Sequence, residues 1–448
     1  MTKESLLLTD LYQLTMLQAY FDHGITKNAV FEFFVRDLDK RKFLIATGLE
    51  QVITFLENLK FSADDIDWLK KTGLFKSDFL DYLRELKFEG SVYAMPEGTI
   101  FFSNEPILQI SAPITQAQLV ETRIINMLHY QTLVASKAIR MHFAAPGKQF
   151  IDFGLRRAHG AEAGLLAARA SYIAGFAGTS TVLAGKSFGI PIFGTMAHSF
   201  VQAHDTEIAA FMNFAESMPN NVIILIDTYD TLRAINKLIK IAPILKKRGI
   251  TIKGVRLDSG DLIILSKKVR KILDKNGLKN VRIITSGNLD EYALKKIYDA
   301  GAPVDSFGIG TIMVTSSDMP YLNCAYKLME YNGIPKKKRS EGKETWPGQK
   351  QVYRYYKNGN ISYDIIAMRD EIFDGEPLLK LFMKNGTKIE SLPSINQIRE
   401  YVMEQIKHIP DYLKDLKKTD KQYPVIISDK LKKCSDNLDK LIIQNEDI

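Results

Sequence analysis

The chain has 448 residues, 46% of them hydrophobic and 25% charged, an ordinary globular balance with length for two domains and room for three at about 100–200 residues each. It contains no uninterrupted apolar run of about 18 residues, which argues against a transmembrane helix. Its two cysteines, Cys324 and Cys434, are too few for a disulfide framework or a Cys-based zinc site. The formal net charge of +8 suits a polyanionic partner. No repeated basic–aromatic module or zinc knuckle is present, so the partner expected is a phosphorylated small molecule rather than nucleic acid. The start, MTKESLLLTDLYQLTM, lacks the basic n-region and small-residue cleavage site of a secretory signal, and a cytoplasmic protein is expected.

Apolar positions at helical spacing predict helices over 11–23 and 49–59. FEFFVRD (31–37) and GSVYAMPEGTIFF (90–102) read as strands, the second with a turn at Pro96-Glu97-Gly98. A long helical pattern without Gly or Pro covers 116–136. From about residue 149 short apolar strands alternate with helices. QFIDFG (149–154) precedes a small-residue helix through Ala170, and GIPIFGT (189–195) precedes a helix over 199–217. VIILIDT (222–228) leads into a basic amphipathic helix with Gly249 as C-cap, and TIKGVRLDSGD (251–261) into LIILSKKVRKILDKNG. VRIITSGNLD (281–290) and VDSFGIGT (304–311) complete the series.

Near-continuous apolar strands joined by helix-length connectors indicate parallel strands covered on both faces. Five or more such units in series predict an irregular (β/α) barrel; an open doubly wound sheet is the alternative. Asp152, Thr195, Asp227, Arg256, Asp258, Ser286 and the stretch Gly308 to Thr311 all fall at or just past strand C-termini. That rim is where active sites assemble in parallel α/β folds. After residue 330 the chain turns polar and basic, with the run Lys336, Lys337, Lys338, Arg339, then short elements and a lysine-rich helical tail. The division expected is an α/β barrel over 126–344 and an α/β sandwich domain built from 1–125 together with 345–448.

SGNLD (286–290) and FGIGT (307–311) end the last two strands. Gly287, Gly308 and Gly310 let backbone N–H groups approach an anion, Ser286 and Thr311 add hydroxyls, and the following helix N-termini add positive dipoles. In VRLDSGD, Arg256 can grip a phosphate; Asp258 can accept from ribose hydroxyls or help hold Mg²⁺, unless Asp258 or Ser259 simply caps the next helix. DFGLRR sets the Phe153 ring beside Arg156 and Arg157, a combination that suits a flat anionic ring and also fits ordinary packing. In GTMAHSFVQAHD (194–205), His198 and His204 stand six residues apart, off the i, i+4 spacing of a helical metal pair. Zinc held by this pair is therefore not expected, and no metal site made by the protein alone is assigned. His198 lies in a strand-end loop, whereas His204 is expected inside the helix with a structural role.

TDLYQLTM, DFGLRR, AGTS, GTMAHSF, VRLDSGDL, FGIGT and GKETWPGQKQVYR, in that order, resemble the nicotinate phosphoribosyltransferase family of type II phosphoribosyltransferases. The resemblance implies transfer of phosphoribose from phosphoribosyl pyrophosphate to nicotinate, giving nicotinate mononucleotide and pyrophosphate. Substrate-bound Mg²⁺ and coupled ATP hydrolysis are also implied. It makes His198 the residue that ATP phosphorylates, with Asp227 or Asp258 as candidates to orient it. It implies a homodimer whose active site is shared at the interface, with Tyr12 from the neighbouring subunit stacking on nicotinate opposite Phe153. Arg256 and Thr195 would lie near nicotinate, and Arg156 near ring and phosphate. Asp258 would lie by the ribose, and Ser286, Gly287, Gly308, Gly310 and Thr311 by the 5-phosphate. The related nicotinamide enzyme has Asp in GTDTV where this chain has Ser180. A carboxylate accepts from an amide and repels nicotinate, whereas Ser180 can donate to it.

Overall fold

The computed structural model describes residues 5–38, 41–340, 342–417 and 421–446. The first four residues of the N-terminal stretch, Glu341 beyond the basic run and the last two residues of the tail lie outside the described residues. The chain divides into two compact units, one drawn from 1–136, 321–413 and 418–448, the other from 137–320 and 414–417. No described helix is long and apolar enough to cross a membrane.

The first unit is built on a seven-stranded sheet around Asn28–Val35, which pairs antiparallel with Leu108–Pro113 on one edge and Cys324–Tyr331 on the other. Seven of the eight residues of Asn28–Val35 are buried, so both faces are covered, and NAVFEFFV is accordingly a run rather than an alternation. Glu32 is the charged exception. It sits 3.1 Å from Lys350 Nζ and accepts from Gln109 at 2.9 Å, so the buried carboxylate is paired. Residues 321–344, read from the sequence as barrel, supply Cys324–Tyr331 to this sheet.

Helices Leu11–Asp22 and Leu49–Glu57 form where the apolar spacing predicts them. Two more, Ala63–Thr72 and Ser77–Glu85, escaped the reading, although Ser62 and Asp65 form a reciprocal capping box at the start of the first. The 90–102 stretch serves two sheets: Ser91–Ala94 joins the large one, and Ile100–Phe101 pairs with Leu44–Ile45. In the basic run, Lys337 and Arg339 are ion-paired to Asp439 of the tail helix Asp429–Glu446 at 2.6 and 3.2 Å, so half of that run is structural.

The second unit carries six parallel strands: β1 (Gln149–Asp152), β2 (Gly178–Thr179), β3 (Val222–Leu225), β4 (Ile252–Leu257), β5 (Arg282–Ser286) and β6 (Ser306–Ile309). Their order is β2-β1-β6-β5-β4-β3. Read as a circle, this is chain order, with the last strand closing back on the first and a single seam between β2 and β3. A doubly wound sheet would instead reverse direction at a switch point, so the curled sheet is an irregular, partly open barrel. The crossover helices Thr231–Lys247 and Leu262–Lys275 bury Leu238, Leu245, Val269 and Leu273 against Ile224, Val255 and Ile283 of the strands.

Two sequence expectations fail here. GIPIFGT does not form a strand: it makes one bridge, Ile192 to Thr179, and Pro191, which has no N–H, contributes only its carbonyl to Thr179 N–H at 3.0 Å. The strand position belongs to Gly178–Thr179, two residues too few to show a periodic signal. The helix read over 199–217 is two helices, His198–Gln202 and Glu207–Ser217, because the Thr206 side chain caps Ala209 N–H at 3.1 Å and starts the second.

Candidate active site

The strand C-termini of the second unit converge on Arg256, the penultimate residue of β4. Its Nε donates to Ser286 Oγ at 3.1 Å, and its terminal nitrogens reach Thr195 Oγ1, the Met196 carbonyl and Asp258 Oδ1, each at 3.4 Å. The guanidinium carbon lies 5.8 Å from the centroid of the Phe153 ring, within cation–π range. Ser286 Oγ also donates to Asp258 Oδ1. Residues from three strand ends, Phe153, Arg256 with Asp258, and Ser286, are thereby drawn into one cationic and aromatic cluster with Thr195, which the sequence places at a strand end and the structure places in a loop.

Asp258 is not a helix cap. The helix that follows is capped by Asp261, which accepts from Ile263 and Ile264 N–H at 3.0 Å. Asp258 is therefore left to the site, in a turn held from β3. Asp227 Oδ2 accepts the Asp258 N–H at 2.8 Å and the Ser259 hydroxyl at 2.7 Å, while Asp227 Oδ1 is buried with no hydrogen-bond partner among the described residues.

His198 opens the short helix His198–Gln202, its side chain 40% exposed. Its Nδ1 lies 3.2 Å from Thr228 Oγ1 and its Nε2 3.9 Å from Asp258 Oδ2. The partner that orients the ring is thus Thr228, which the sequence reading missed; its only signal was a second polar residue after Asp227 at the end of a strand. Asp258 faces the other nitrogen, and Asp227 acts on the Asp258 turn. His204 is not inside a helix but in the break before Thr206. Its Nδ1 bonds the Phe200 carbonyl at 2.7 Å and its ring lies 4.7 Å from the Phe200 ring, contacts that suit a structural role, although the expected placement inside a helix fails.

At the end of β1, Asp152 is buried and brackets the turn. It accepts from Gly154 N–H at 2.8 Å and from the Thr179 hydroxyl at 2.7 Å, and its carbonyl accepts the Ser180 N–H at 2.8 Å. Burial pushes its carboxyl up to about 6, against which the two hydrogen bonds work. This bracket ties the Ser180 backbone to the Asp152 carbonyl and leaves the Ser180 hydroxyl without a partner among the described residues. Arg156, on the single turn Leu155–Arg157, is exposed and makes no ion pair with any described residue.

The glycines divide. Gly287, at φ +99°, has a left-handed backbone, and a Cβ there would collide with the Asp258 carbonyl; it lets two strand-end loops touch. Gly308 is not in a loop at all: it lies inside β6, paired with Ile151 on one side and Ser286 on the other. An added Cβ would stand 2.5 Å from Cδ2 and Cε2 of Phe153, so this glycine is a seat for the ring. Gly310 and Thr311 do form the loop end, and the exposed Thr311 hydroxyl has no partner among the described residues. The helix dipole expected after β5 is taken internally, since Asp290 caps Glu291–Asp299 by accepting from Ala293 N–H at 2.7 Å. Tyr12 belongs to the first unit, on Leu11–Asp22, and is 47% exposed.

Comparison with known proteins follows the same segments. Residues 7–129, 148–354 and 371–435 match the family descriptions nicotinate phosphoribosyltransferase N-terminal domain, nicotinate phosphoribosyltransferase family and nicotinate phosphoribosyltransferase C-terminal domain. The chain is 45% identical over 427 residues to nicotinate phosphoribosyltransferase pncB2 of Mycobacterium tuberculosis, covering 95% of this chain and 92% of the relative. It is 38% identical over 455 residues to nicotinate phosphoribosyltransferase of Bacillus subtilis, covering 94% and 92%. Among solved structures, human nicotinic acid phosphoribosyltransferase superposes with a TM-score of 0.87 at 29% identity, covering 96% of this chain and all of that one.

Proposed function

The chain belongs to the nicotinate phosphoribosyltransferase family, and on that premise we propose that it transfers phosphoribose from phosphoribosyl pyrophosphate to the ring nitrogen of nicotinate, coupled to ATP. The observation that carries the reading is the Phe153 ring seated on Gly308 with the Arg256 guanidinium 5.8 Å from its centroid; Ser180, whose N–H donates to the Asp152 carbonyl and whose hydroxyl has no partner among the described residues, is taken as the neutral donor. An aromatic face, a fixed cation and a neutral donor recognise a flat ring bearing a carboxylate. Nicotinamide would leave Arg256 with no anion and Ser180 facing an amide.

Bond formation between the pyridine nitrogen and C1 accompanies cleavage of the C1–O bond to pyrophosphate, through a state with oxocarbenium character. Its needs are alignment and neutralisation of the departing charge. Asp258, held by Asp227 and Ser286, is the carboxylate in reach of a ribose; Arg156, which makes no ion pair with any described residue, is a cation for pyrophosphate; Gly287, Gly310 and Thr311 are the donors for the 5-phosphate. No group of three or more His, Cys, Asp or Glu side chains among the described residues is placed to hold a metal. A cation held by one or two carboxylates and the substrate's phosphates fits Asp258 with the unpartnered Asp227 Oδ1, and it would supply charge neutralisation.

For the coupling, His198 with Nδ1 donating to Thr228 keeps a lone pair on Nε2. That nitrogen attacks the γ-phosphorus of ATP as the bond to the bridging oxygen breaks and ADP leaves; water later cleaves the N–P bond. The reading takes the enzyme to be a cytoplasmic homodimer in which a second copy supplies Tyr12 to the ring slot. Exposure of Tyr12 supports this. The deciding experiment assays purified protein with nicotinate and with nicotinamide, each with and without ATP, and follows pyrophosphate. Faster turnover with nicotinamide overturns the substrate assignment, and no pyrophosphate with either base reduces the protein to a phosphate-ligand binder.

A further inference from the structure

Behind the two phosphate loops lies a cluster of charge that the reaction does not use. Lys137, 1% exposed, places Nζ 2.5 Å from Glu291 Oε2 and 2.8 Å from Asp318 Oδ1. Glu291, fully buried, also accepts from Arg140 Nε at 2.8 Å, and Arg140 reaches the Tyr292 hydroxyl at 3.3 Å. Burial opposes ionisation of Glu291, but Lys137 and Arg140 outweigh it and hold the carboxyl below its usual range.

The positions of the two acids matter. Glu291 is the residue directly after SGNLD, the loop that ends β5. Asp318 follows the loop that ends β6, after the turn Thr311–Val314 and a left-handed Ser316 at φ +41°. One ammonium therefore binds the carboxyl-terminal roots of both loops. As a source of stability this is a poor device, because desolvating the buried ions is costly and an apolar core of equal volume often does better. What an ion triad with two buried members supplies is direction: three groups held at fixed distances and angles.

We propose that Lys137, with Glu291 and Asp318, is a positioning cluster that sets the spacing between the Gly287 loop and the Gly310–Thr311 loop, and so governs binding of the 5-phosphate of phosphoribosyl pyrophosphate. The inference rests on the assignment of those loops to the 5-phosphate. Lys137 touches no substrate in this account; it acts through the loops.

The test uses the full chain and steady-state kinetics in which phosphoribosyl pyrophosphate and nicotinate are varied separately, with thermal melting alongside. Asp318→Asn, at a partly exposed position, cuts one loop from the lysine without leaving an uncompensated buried charge. It is expected to raise KM for phosphoribosyl pyrophosphate about tenfold while kcat and KM for nicotinate stay within about twofold. Lys137→Met is expected to raise it further, and Lys137→Arg to restore part of the loss. Should Lys137→Met fail to fold, Asp318→Asn decides alone. Thr311→Ala is the control on the loop itself. If Thr311→Ala raises KM for phosphoribosyl pyrophosphate and Asp318→Asn does not, the cluster is only structural and the proposal is wrong. If neither variant moves it, the 5-phosphate assignment falls and the proposal with it. Loss of affinity for both substrates together also overturns it.

Discussion

Replacing Gly308 with alanine separates two roles for one residue. The sequence suggests a backbone donor to phosphate; the structure makes it the floor beneath Phe153. The added Cβ would stand 2.5 Å from two ring carbons, about 1 Å or more inside the normal carbon–carbon separation of about 3.5–4.0 Å. The backbone has little freedom to yield. Gly308 is paired on both edges of β6, and Phe153 N–H donates to the Ile309 carbonyl at 2.7 Å. The ring must therefore turn out of its slot and away from Arg256. Overpacking of this kind costs about 1–3 kcal/mol, and the lost cation–π contact about 0.5–1 kcal/mol. A displacement of about 1 Å in a group that aligns substrate can cost about a hundredfold in rate. Gly308→Ala is thus expected to lower kcat/KM for nicotinate by about 10- to 100-fold, with KM for phosphoribosyl pyrophosphate changed by less than about threefold. Initial rates with each substrate varied in turn measure both. A rise confined to KM for phosphoribosyl pyrophosphate would restore the phosphate role and refute the seat, and unchanged kinetics would refute both.

His198→Ala is expected to abolish stimulation of turnover by ATP and the ³²P label from γ-labelled ATP, whereas His204→Ala should keep both and lose about 1 kcal/mol of stability with its bond to Phe200. Equal loss of coupling in the two variants would show the division of roles to be mistaken. With Ser180 as the donor to the nicotinate carboxylate, Ser180→Asp should lower the ratio of kcat/KM for nicotinate over nicotinamide by about a hundredfold or more, as like charges meet and an amide gains an acceptor. An unchanged ratio means that Ser180 does not face the substrate's substituent. Asp152 has a folded-state value of about 6 against an ordinary 3.8, so the folded protein holds the proton more tightly and loses stability as pH rises through that window. Relative to Asp152→Asn, which does not titrate, the wild type should lose about 2–3 kcal/mol between about pH 4 and pH 7 in denaturant titrations. A difference that stays flat with pH would show that Asp152 is not buried as described.

The sequence determined the parts that depend on near neighbours. Apolar runs such as VIILID and VRIITS separated by amphipathic connectors specify parallel strands and crossovers, and the polar residues closing each strand mark the rim of the barrel. These signals survive because strand, turn and helix preferences act over a few residues. Where the local signal was two residues long, as at Gly178–Thr179, or where Thr206 restarts a helix, the reading slipped.

Only the tertiary structure decided who touches whom. Asp261 takes the cap and frees Asp258; Thr228 reaches His198 across 30 residues; and Lys137 meets Glu291 across 154. Gly308 illustrates the point most sharply. In the chain it is one more glycine in FGIGT, but in the barrel β6 closes beside β1 and brings the Phe153 ring down on it. A Cβ is excluded there by a neighbour 155 positions away, and no local pattern encodes a distance that packing alone creates.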